Sequence, residues 1–168
     1  SVTEILEDPT IDAISSEGAN SESLDHAEKI VDAGKHVFLD KPAGEDYPRF
    51  HRIVDRARER GLLLQLGYMF RYHDGFSRIA EWAKSGFLGH VFAVRGHMST
   101  IMTEEQRIHF EARHGGVFYD LAGHMLDQIV WILGRPLKVT SFLRYDDSVA
   151  PGFEDNTLGV FEFRDAMA

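Results

Sequence analysis

The sequence contains no cysteine, and this absence excludes several kinds of site at once. Disulfides, thiolate zinc sites and cysteine nucleophiles are all ruled out, so a metal ion would need histidine and carboxylate ligands. Neither the HExxH pattern of zinc proteases nor the GxSxG turn of serine hydrolases occurs. No apolar run approaches the ~18 residues that a membrane helix needs, so we expect no membrane partner.

Basic residues are also in short supply. The chain has 18 Lys and Arg against 27 Asp and Glu, which gives a formal net charge of −9. Nucleic-acid binding depends mostly on clustered basic side chains, so we expect no nucleic-acid partner. The chain opens without a basic and apolar leader, which favours a cytoplasmic location. With 168 residues, of which 43% are hydrophobic, the chain is long enough for one globular domain or two partial ones.

The first third of the chain alternates short apolar strands with amphipathic helices. Strands are predicted over residues 11–16, 36–39 and 62–66. Between them, Ser21 or Ser23 offers an N-cap to one helix and Asp46 to the next. Strand, helix, strand, helix, strand is the order of a parallel sheet with crossover helices, so we predict a partial Rossmann-like sheet over residues 1–68.

After residue 68 the spacing of the predicted elements becomes irregular. Helices are predicted over residues 76–86 and 117–133, and strands over residues 91–98, 137–145 and 157–163. This order favours part of an α+β domain with a mainly antiparallel sheet. We therefore predict an α/β chain in two parts: residues 1–68 as the second half of a dinucleotide-binding domain, and residues 69–168 as a partial substrate or dimerisation domain.

The helix that follows Gly115-Gly116 carries polar residues on one side. At about 100° per residue, Asp120, His124, Asp127 and Trp131 share one narrow sector, and residues 117–133 contain no Lys, Arg or Glu. A carboxylate and an imidazole four residues apart can transfer a proton to and from a substrate. The same pattern is also typical of a buried polar seam, and the spacing alone does not separate the two interpretations.

Two further candidates lie where predicted strands end. Lys41 follows a strand almost directly and precedes Pro42, which favours extended geometry at the carboxyl end of the sheet, where ligands bind in open parallel sheets. The turn Gly18-Ala19-Asn20 lies at the same edge, ahead of a helix N-terminus. The alternative for Lys41 is a solvated surface lysine, and the alternative for the turn is a simple capped connection.

His109 and His114 lack the companion ligands of a zinc site, so we expect no metal.

Three segments of the chain resemble the Gfo/Idh/MocA oxidoreductases, the relatives of glucose-fructose oxidoreductase and inositol dehydrogenase. Residues 33–42, AGKHVFLDKP, are similar to the family's AGKHVxxEKP segment. Residues 115–127 are similar to its GGGxxxDxGxHxxD segment, and residues 67–72 are similar to the segment that leads into its second domain. The resemblance covers nearly all of residues 1–165.

This resemblance implies a nicotinamide-dependent dehydrogenase. It assigns Lys41, Asp120 and His124 to catalysis, and it assigns six residues to contacts with NAD or NADP: Gly18, Ala19, Asn20, Asp40, Lys41 and Arg71. The implied reaction moves a hydride between a secondary alcohol of a sugar or cyclitol and the nicotinamide. The resemblance also implies a homo-oligomer.

The chain departs from the family pattern at several positions. Asp40 stands in place of Glu, Ala19 in place of Pro, and Ala122 in place of Gly. His114 stands in place of a glycine and Ser23 in place of a His. The family's GxGxxG turn is not found, so we expect a fragment of a longer enzyme or a shortened relative. Two alternatives stay open: a non-catalytic remnant that serves as a dimerisation or scaffold module, and a sugar-binding or hydrolytic relative.

Overall fold

A computed structural model describes residues 1–111 and 116–168, and the described chain divides into two units, Ser1–Tyr68 and Met69–Ala168. The first unit begins with helix α1 (Val2–Glu7) and continues as strand, helix, strand, helix, strand. These elements are β1 (Ala13–Ser16), α2 (Ser23–Asp32), β2 (His36–Leu39), α3 (Tyr47–Glu59) and β3 (Leu64–Leu66).

The three strands form a parallel sheet in the order β1-β2-β3. Ile14 pairs with Val37, and Val37 pairs with Leu64. The prediction of a parallel sheet with crossover helices is confirmed. The apolar residues at helical spacing on α2 and α3 pack against Val37 and Leu39 of β2 to make the core, whose members are no more than 5% exposed: Leu24, Ala27, Ile30, Val31, Val37, Leu39, Ile53 and Ala57.

The helix boundaries follow local capping chemistry, with one exception. Asp46 caps α3, as predicted, and its side chain accepts a hydrogen bond of 2.8 Å from the N–H of Arg49. The predicted serine cap of α2 is wrong, because Glu22 occupies the N-cap position and makes no side-chain cap bond. Ser23 is instead the first residue of the helix and is buried.

The second unit contains the 3₁₀ turn (Met69–Tyr72), α4 (Asp74–Lys84), α5 (Glu104–Glu111), the π-helical turn (Phe118–Ala122), α6 (Gly123–Leu133), β4 (Lys138–Arg144) and β5 (Asn156–Glu162). The last two strands pair antiparallel, with Ser141 opposite Gly159. The prediction of a mixed α/β chain with a parallel sheet and a separate antiparallel sheet is therefore confirmed.

Two sequence predictions fail in this unit. Residues 91–98 do not form a strand: within the described residues, Ala93 makes a single bridge to Met167, so no ladder develops. The helix predicted over residues 117–133 begins as a π-helical turn and becomes α-helical only at Gly123. Helix α5 lies between the segments for which the sequence predicts helices and strands, and it is a third difference.

Candidate functional site

In the first unit, polar groups gather at the carboxyl ends of the three strands. Asp40 directly follows β2, and its N–H donates to the carbonyl of Ser16 at the end of β1 (3.0 Å). Gly67 follows β3, and its N–H donates to the carbonyl of Leu39 (2.8 Å). Lys41 comes next after Asp40 and is half-buried. The structure therefore places Asp40 and Lys41 at the sheet edge predicted for them.

Gly67 allows the Asp40 carboxylate to lie close to the backbone. A Cβ at position 67 would stand 2.9 Å from Asp40 Oδ1 and 3.4 Å from the ring of Phe38. The glycine is buried, so a larger residue there would have to displace the carboxylate. Lys41 is joined to Pro42 by a cis peptide bond. The absence of a side chain at position 67 thus leaves room for the Asp40 carboxylate at the edge of the sheet.

The turn at residues 18–20 leads from β1 into α2. The N–H of Glu22 donates to the carbonyl of Ala19 (2.8 Å), and Ser16 Oγ lies 3.0 Å from Nδ1 of His26. Glu22 makes no side-chain cap bond to α2, and the N–H of Ser23 already donates to the carbonyl of Asn20 (3.4 Å), so the next N–H groups of the first turn are the candidate donors to an anionic ligand. These donors, together with the polar strand ends, fit part of a dinucleotide. Within the described residues they include no glycine-rich phosphate turn.

In the second unit, His124 is 7% exposed and lies on the first turn of α6. Its ring centroid is 4.7 Å from that of Phe70, with the planes tilted by 33°. One turn further along α6, Asp127 accepts two hydrogen bonds of 2.7 Å each from Arg71. Trp131 follows, with the Arg71 guanidinium 5.4 Å and the Lys84 ammonium 4.6 Å from its ring centre.

The stripe predicted from helical spacing is therefore a polar and aromatic seam along α6. His124, Asp127 and Trp131 face the 3₁₀ turn and α4, as their spacing suggests. Asp120 is different, because it lies in the π-helical turn, where hydrogen bonds run from i to i+5 and the 100° spacing does not hold. π-helical turns of this kind are frequent at functional sites.

A loop between β4 and β5 contacts the residues just before the π-helical turn. Glu154 accepts a hydrogen bond of 3.2 Å from the N–H of Val117 through its carbonyl. Gly116 has a φ of +49°, and a Cβ there would stand 2.4 Å from the same carbonyl oxygen. Only glycine fits this place without a shift of the backbone. The loop thus helps to define where the segment carrying Asp120 begins.

Carboxylates fix this loop to helix α5. Asp147 pairs with Arg107 at 3.0 Å, and the side chain of Glu111 accepts from the N–H of Gly152 at 2.7 Å. The N–H of Ala150, then that of Val149, and the charge of Arg107 hold the pKa of Asp147 below its ordinary value of 3.8. The contacts through which Asp147 holds the loop therefore depend on its carboxylate being ionised.

Sequence reasoning missed several residues of the second unit. Phe70 covers one face of the His124 ring, a contact that no local pattern indicates. Gln128 is 6% exposed, and neither of its amide atoms has a hydrogen-bond partner within the described part of the chain. Its position four residues after His124 on α6 could have indicated that it shares the buried side.

The structure can be searched for metal ligands only over the described residues, so the expectation of no metal site stays a prediction. His114 lies outside the described residues, and among the residues that are described no group of three potential ligands comes together. Similarly, no described helix has both the length and the apolar character to cross a membrane.

Comparison with known proteins decides the family. Residues 1–68 match the model of the oxidoreductase family with an NAD-binding Rossmann fold, and residues 76–168 match the Gfo/Idh/MocA C-terminal domain. The chain belongs to the Gfo/Idh/MocA oxidoreductase family. The resemblance proposed from three motifs is confirmed, and so is a nicotinamide dinucleotide as the family's cofactor class.

Individual Gfo/Idh/MocA relatives are similar over much of the chain. A dTDP-3,4-didehydro-2,6-dideoxy-alpha-D-glucose 3-reductase of Streptomyces violaceoruber is 31% identical over 71% of the chain and 35% of its own length. The scyllo-inositol 2-dehydrogenase (NADP(+)) IolW of Bacillus subtilis is 26% identical over 82% of the chain and 39% of its own length.

A solved structure agrees with the fold of the whole chain. The crystal structure of apo scyllo-inositol dehydrogenase from Lactobacillus casei is 25% identical and superposes with a TM-score of 0.83. The comparison covers 100% of this chain and 51% of that one. The chain thus spans between about a third and a half of the length of the relatives that it matches.

Proposed function

We propose that this chain is part of a dehydrogenase that moves a hydride between a secondary alcohol of a sugar or cyclitol and NAD or NADP. The observation that carries the proposal is the match of residues 1–68 to an NAD-binding oxidoreductase domain, with Lys41 at the carboxyl edge of its sheet. The named relatives, which act on inositols and on a deoxysugar nucleotide, support this substrate class.

The proposal gives His124 the role of general base. An imidazole is suited to removing the hydroxyl proton near neutral pH, and burial keeps His124 away from bulk water. Lys41 is assigned to the substrate oxygen, where its ammonium would stabilise the negative charge that develops as the proton leaves. Asp120 is assigned to orienting the substrate or the ring of His124.

The first unit is proposed to hold the cofactor. Gly18, Ala19 and Asn20 would contact it through the turn before α2, and Asp40 and Lys41 through the ends of the strands. When bound, the nicotinamide would accept the hydride from the alcohol carbon. Residues 1–68 would thus be the second half of a Rossmann-like domain, and residues 69–168 part of a substrate domain. The family resemblance also assigns Arg71 to the cofactor, an assignment that competes with its pairing to Asp127.

Matched variants test the assignment. We expect Lys41→Ala and His124→Ala each to lower kcat by about 10²–10³-fold in the oxidation of scyllo- or myo-inositol with NAD⁺ or NADP⁺. The controls are Lys29→Ala on α2 and His51→Ala on α3, which remove the same side chains from exposed positions. Turnover that survives Lys41→Ala or His124→Ala at the level of these controls would contradict the proposed roles.

One observation favours a second candidate, a non-catalytic dimerisation or scaffold module. Every residue of β4 is exposed, and its apolar members include Val139, Phe142 and Leu143. An exposed apolar strand is typical of a surface that another chain covers. Titration with NADH and NADPH, followed by nicotinamide fluorescence, separates the candidates: saturable binding supports the enzyme, and a stable dimer that binds neither supports the module.

A further inference from the structure

Two neighbouring residues of the 3₁₀ turn contact α6 at successive turns of that helix. The ring of Phe70 lies against the imidazole of His124, and the guanidinium of Arg71 forms the two-fold hydrogen bond with Asp127. Because His124 and Asp127 are three residues apart, the two contacts fall on the same side of the helix. Together the two contacts fix the position of α6 along its own axis and its rotation about that axis, both relative to the 3₁₀ turn.

The 3₁₀ turn is itself anchored to α4. Ser77 Oγ donates a hydrogen bond of 2.7 Å to the carbonyl of Arg71. The ring of Phe76 stacks on that of Phe70, with centroids 4.7 Å apart and planes within 12°. The turn is therefore a fixed support, and a contact from it can hold α6 in one place.

The pair between Arg71 and Asp127 differs from the exposed ion pairs elsewhere on the second unit. The Asp127 side chain is 12% exposed, and the guanidinium binds both carboxylate oxygens while lying over Trp131. A planar, two-fold pairing of this kind fixes geometry as well as charge. By contrast, Arg78 and Glu81 on α4 form one contact of 3.4 Å with both side chains at least 60% exposed.

We propose that Arg71 is a positioning residue, which acts through Asp127 to hold the imidazole of His124 against Phe70 and in register for proton transfer. The inference rests on the proposed role of His124 as the base. It gives Arg71 a different task from direct contact with the nucleotide, and the two tasks predict different results when the guanidinium is removed.

The first test reads the His124 ring directly, whether or not the chain turns over a substrate. In NMR spectra of the 168-residue chain, the Phe70 ring should shift the imidazole carbon-bound protons of His124 upfield. We expect Arg71→Gln to move these resonances downfield, towards those of an unstacked imidazole. Arg71→Lys, which keeps the charge but loses the planar fork, should give an intermediate shift, and the control Arg78→Gln should leave the resonances in place.

A double variant separates positioning from a general loss of structure. Asp127→Asn alone should move the His124 resonances in the same direction as Arg71→Gln, and the double variant should move them no further, because each change removes the same paired contact. Unchanged amide resonances of β4 and β5, which belong to the same unit as Arg71 and His124, would confirm that this unit remains folded. His124 resonances that stay in place in folded Arg71→Gln would overturn the proposal.

The kinetic test asks whether the position of the ring matters for turnover. With inositol and NAD⁺ or NADP⁺, we expect Arg71→Gln to lower kcat by about a hundredfold, as a small misplacement of a reacting group does, and to leave the Kd of the cofactor unchanged. A raised cofactor Kd with unchanged kcat would overturn the proposal in favour of a nucleotide contact. If the ring moves in Arg71→Gln while His124→Ala retains full activity, the proposed function fails and the contact between Arg71 and α6 stands.

Discussion

The two units of the chain differ in the residues that stabilise each of them internally. In the first unit, eight apolar residues from two helices and one strand form a single buried cluster. Among the described residues of the second unit, the buried side chains are the apolar Ala80, Ile129, Ala150 and Phe153 and the polar His124 and Gln128, each no more than 7% exposed. Ion pairs occur in both units, for example between Arg49 and Glu28 in the first and between Arg71 and Asp127 in the second. The difference between the units lies in the buried apolar residues, which form one cluster of eight in the first unit and number four among the described residues of the second.

A cavity in the second unit illustrates the difference. A space of about 320 Å³ lies between α6 and β5, with Leu121, Met125 and Ile129 on the helix side and Thr157 on the strand side. The space is partly open to the surface, so the side chains that line it contact fewer protein atoms than fully enclosed core side chains do. Apolar contacts therefore contribute less to holding α6 on this side, and its other side, with Phe70 and Arg71, carries more of the constraint.

The largest expected effect comes from the core of the first unit. Leu39→Ala should lower the free energy of unfolding by ~2–5 kcal/mol, because the side chain is 1% exposed and its removal leaves a cavity. Thermal or urea unfolding of the whole chain measures the change. Phe38→Ala is the control, since the neighbouring ring is 43% exposed and should cost much less. Equal losses at the two positions would contradict an apolar core on one face of the sheet.

Ile129→Ala extends the comparison to the second unit. Ile129 is also buried, yet one side of it borders the cavity, so fewer contacts are lost. We therefore expect a smaller loss than for Leu39→Ala. A loss as large as that at Leu39 would mean that the two units are packed alike.

A smaller and more local effect is expected at the start of the π-helical turn. Gly116→Ala should cost ~1–3 kcal/mol, because the left-handed backbone disfavours a side chain, and the new Cβ would also collide with the carbonyl of Glu154. Gly86→Ala is the control: it has a φ of +79°, and apart from its chain neighbours no atom lies within 4 Å of the new Cβ. Similar losses in both variants would show that the contact with Glu154 has no role beyond the backbone conformation.

The smallest effect concerns pH. The pKa of Asp147 in the folded chain lies below 3.8, so its stabilising contribution is complete above pH 3.8 and is lost as the pH falls through the lower, folded value. Asp146, whose pKa Arg144 also lowers, acts in the same direction. We expect unfolding midpoints measured from pH 5 down to pH 2 to fall less steeply in Asp147→Asn. A variant that follows the full pH dependence of the original chain would contradict this role.

The sequence was sufficient for the elements that depend on nearby residues. The strand over residues 36–39 and the helix capped by Asp46 are found as predicted, because alternation, helical spacing and a side-chain cap are local properties. The parallel order of the strands also followed, because a helix between two strands carries the chain back to the same end of the sheet.

The differences arise where distant residues decide the structure. Residues 91–98 have the composition of a strand, but a strand needs a partner, and the described chain offers only a bridge at Met167. The π-helical turn follows Val117, which is bonded to Glu154, 37 residues further along the chain. Similarly, the family resemblance assigns Arg71 to the cofactor, and no local pattern indicates its pairing with Asp127, 56 residues away.

The central claim, that the chain takes part in hydride transfer from a secondary alcohol, is tested most directly by following the hydrogen itself. The chain is incubated with NAD⁺ or NADP⁺ and with scyllo- or myo-inositol deuterated at the ring carbons, and the reduced nicotinamide is examined by mass spectrometry. The account predicts that the reduced nicotinamide carries one deuterium, and that incubation with the Lys41→Ala variant yields no deuterated nicotinamide. A chain that binds NADH or NADPH saturably and yet transfers no deuterium from either inositol would contradict it.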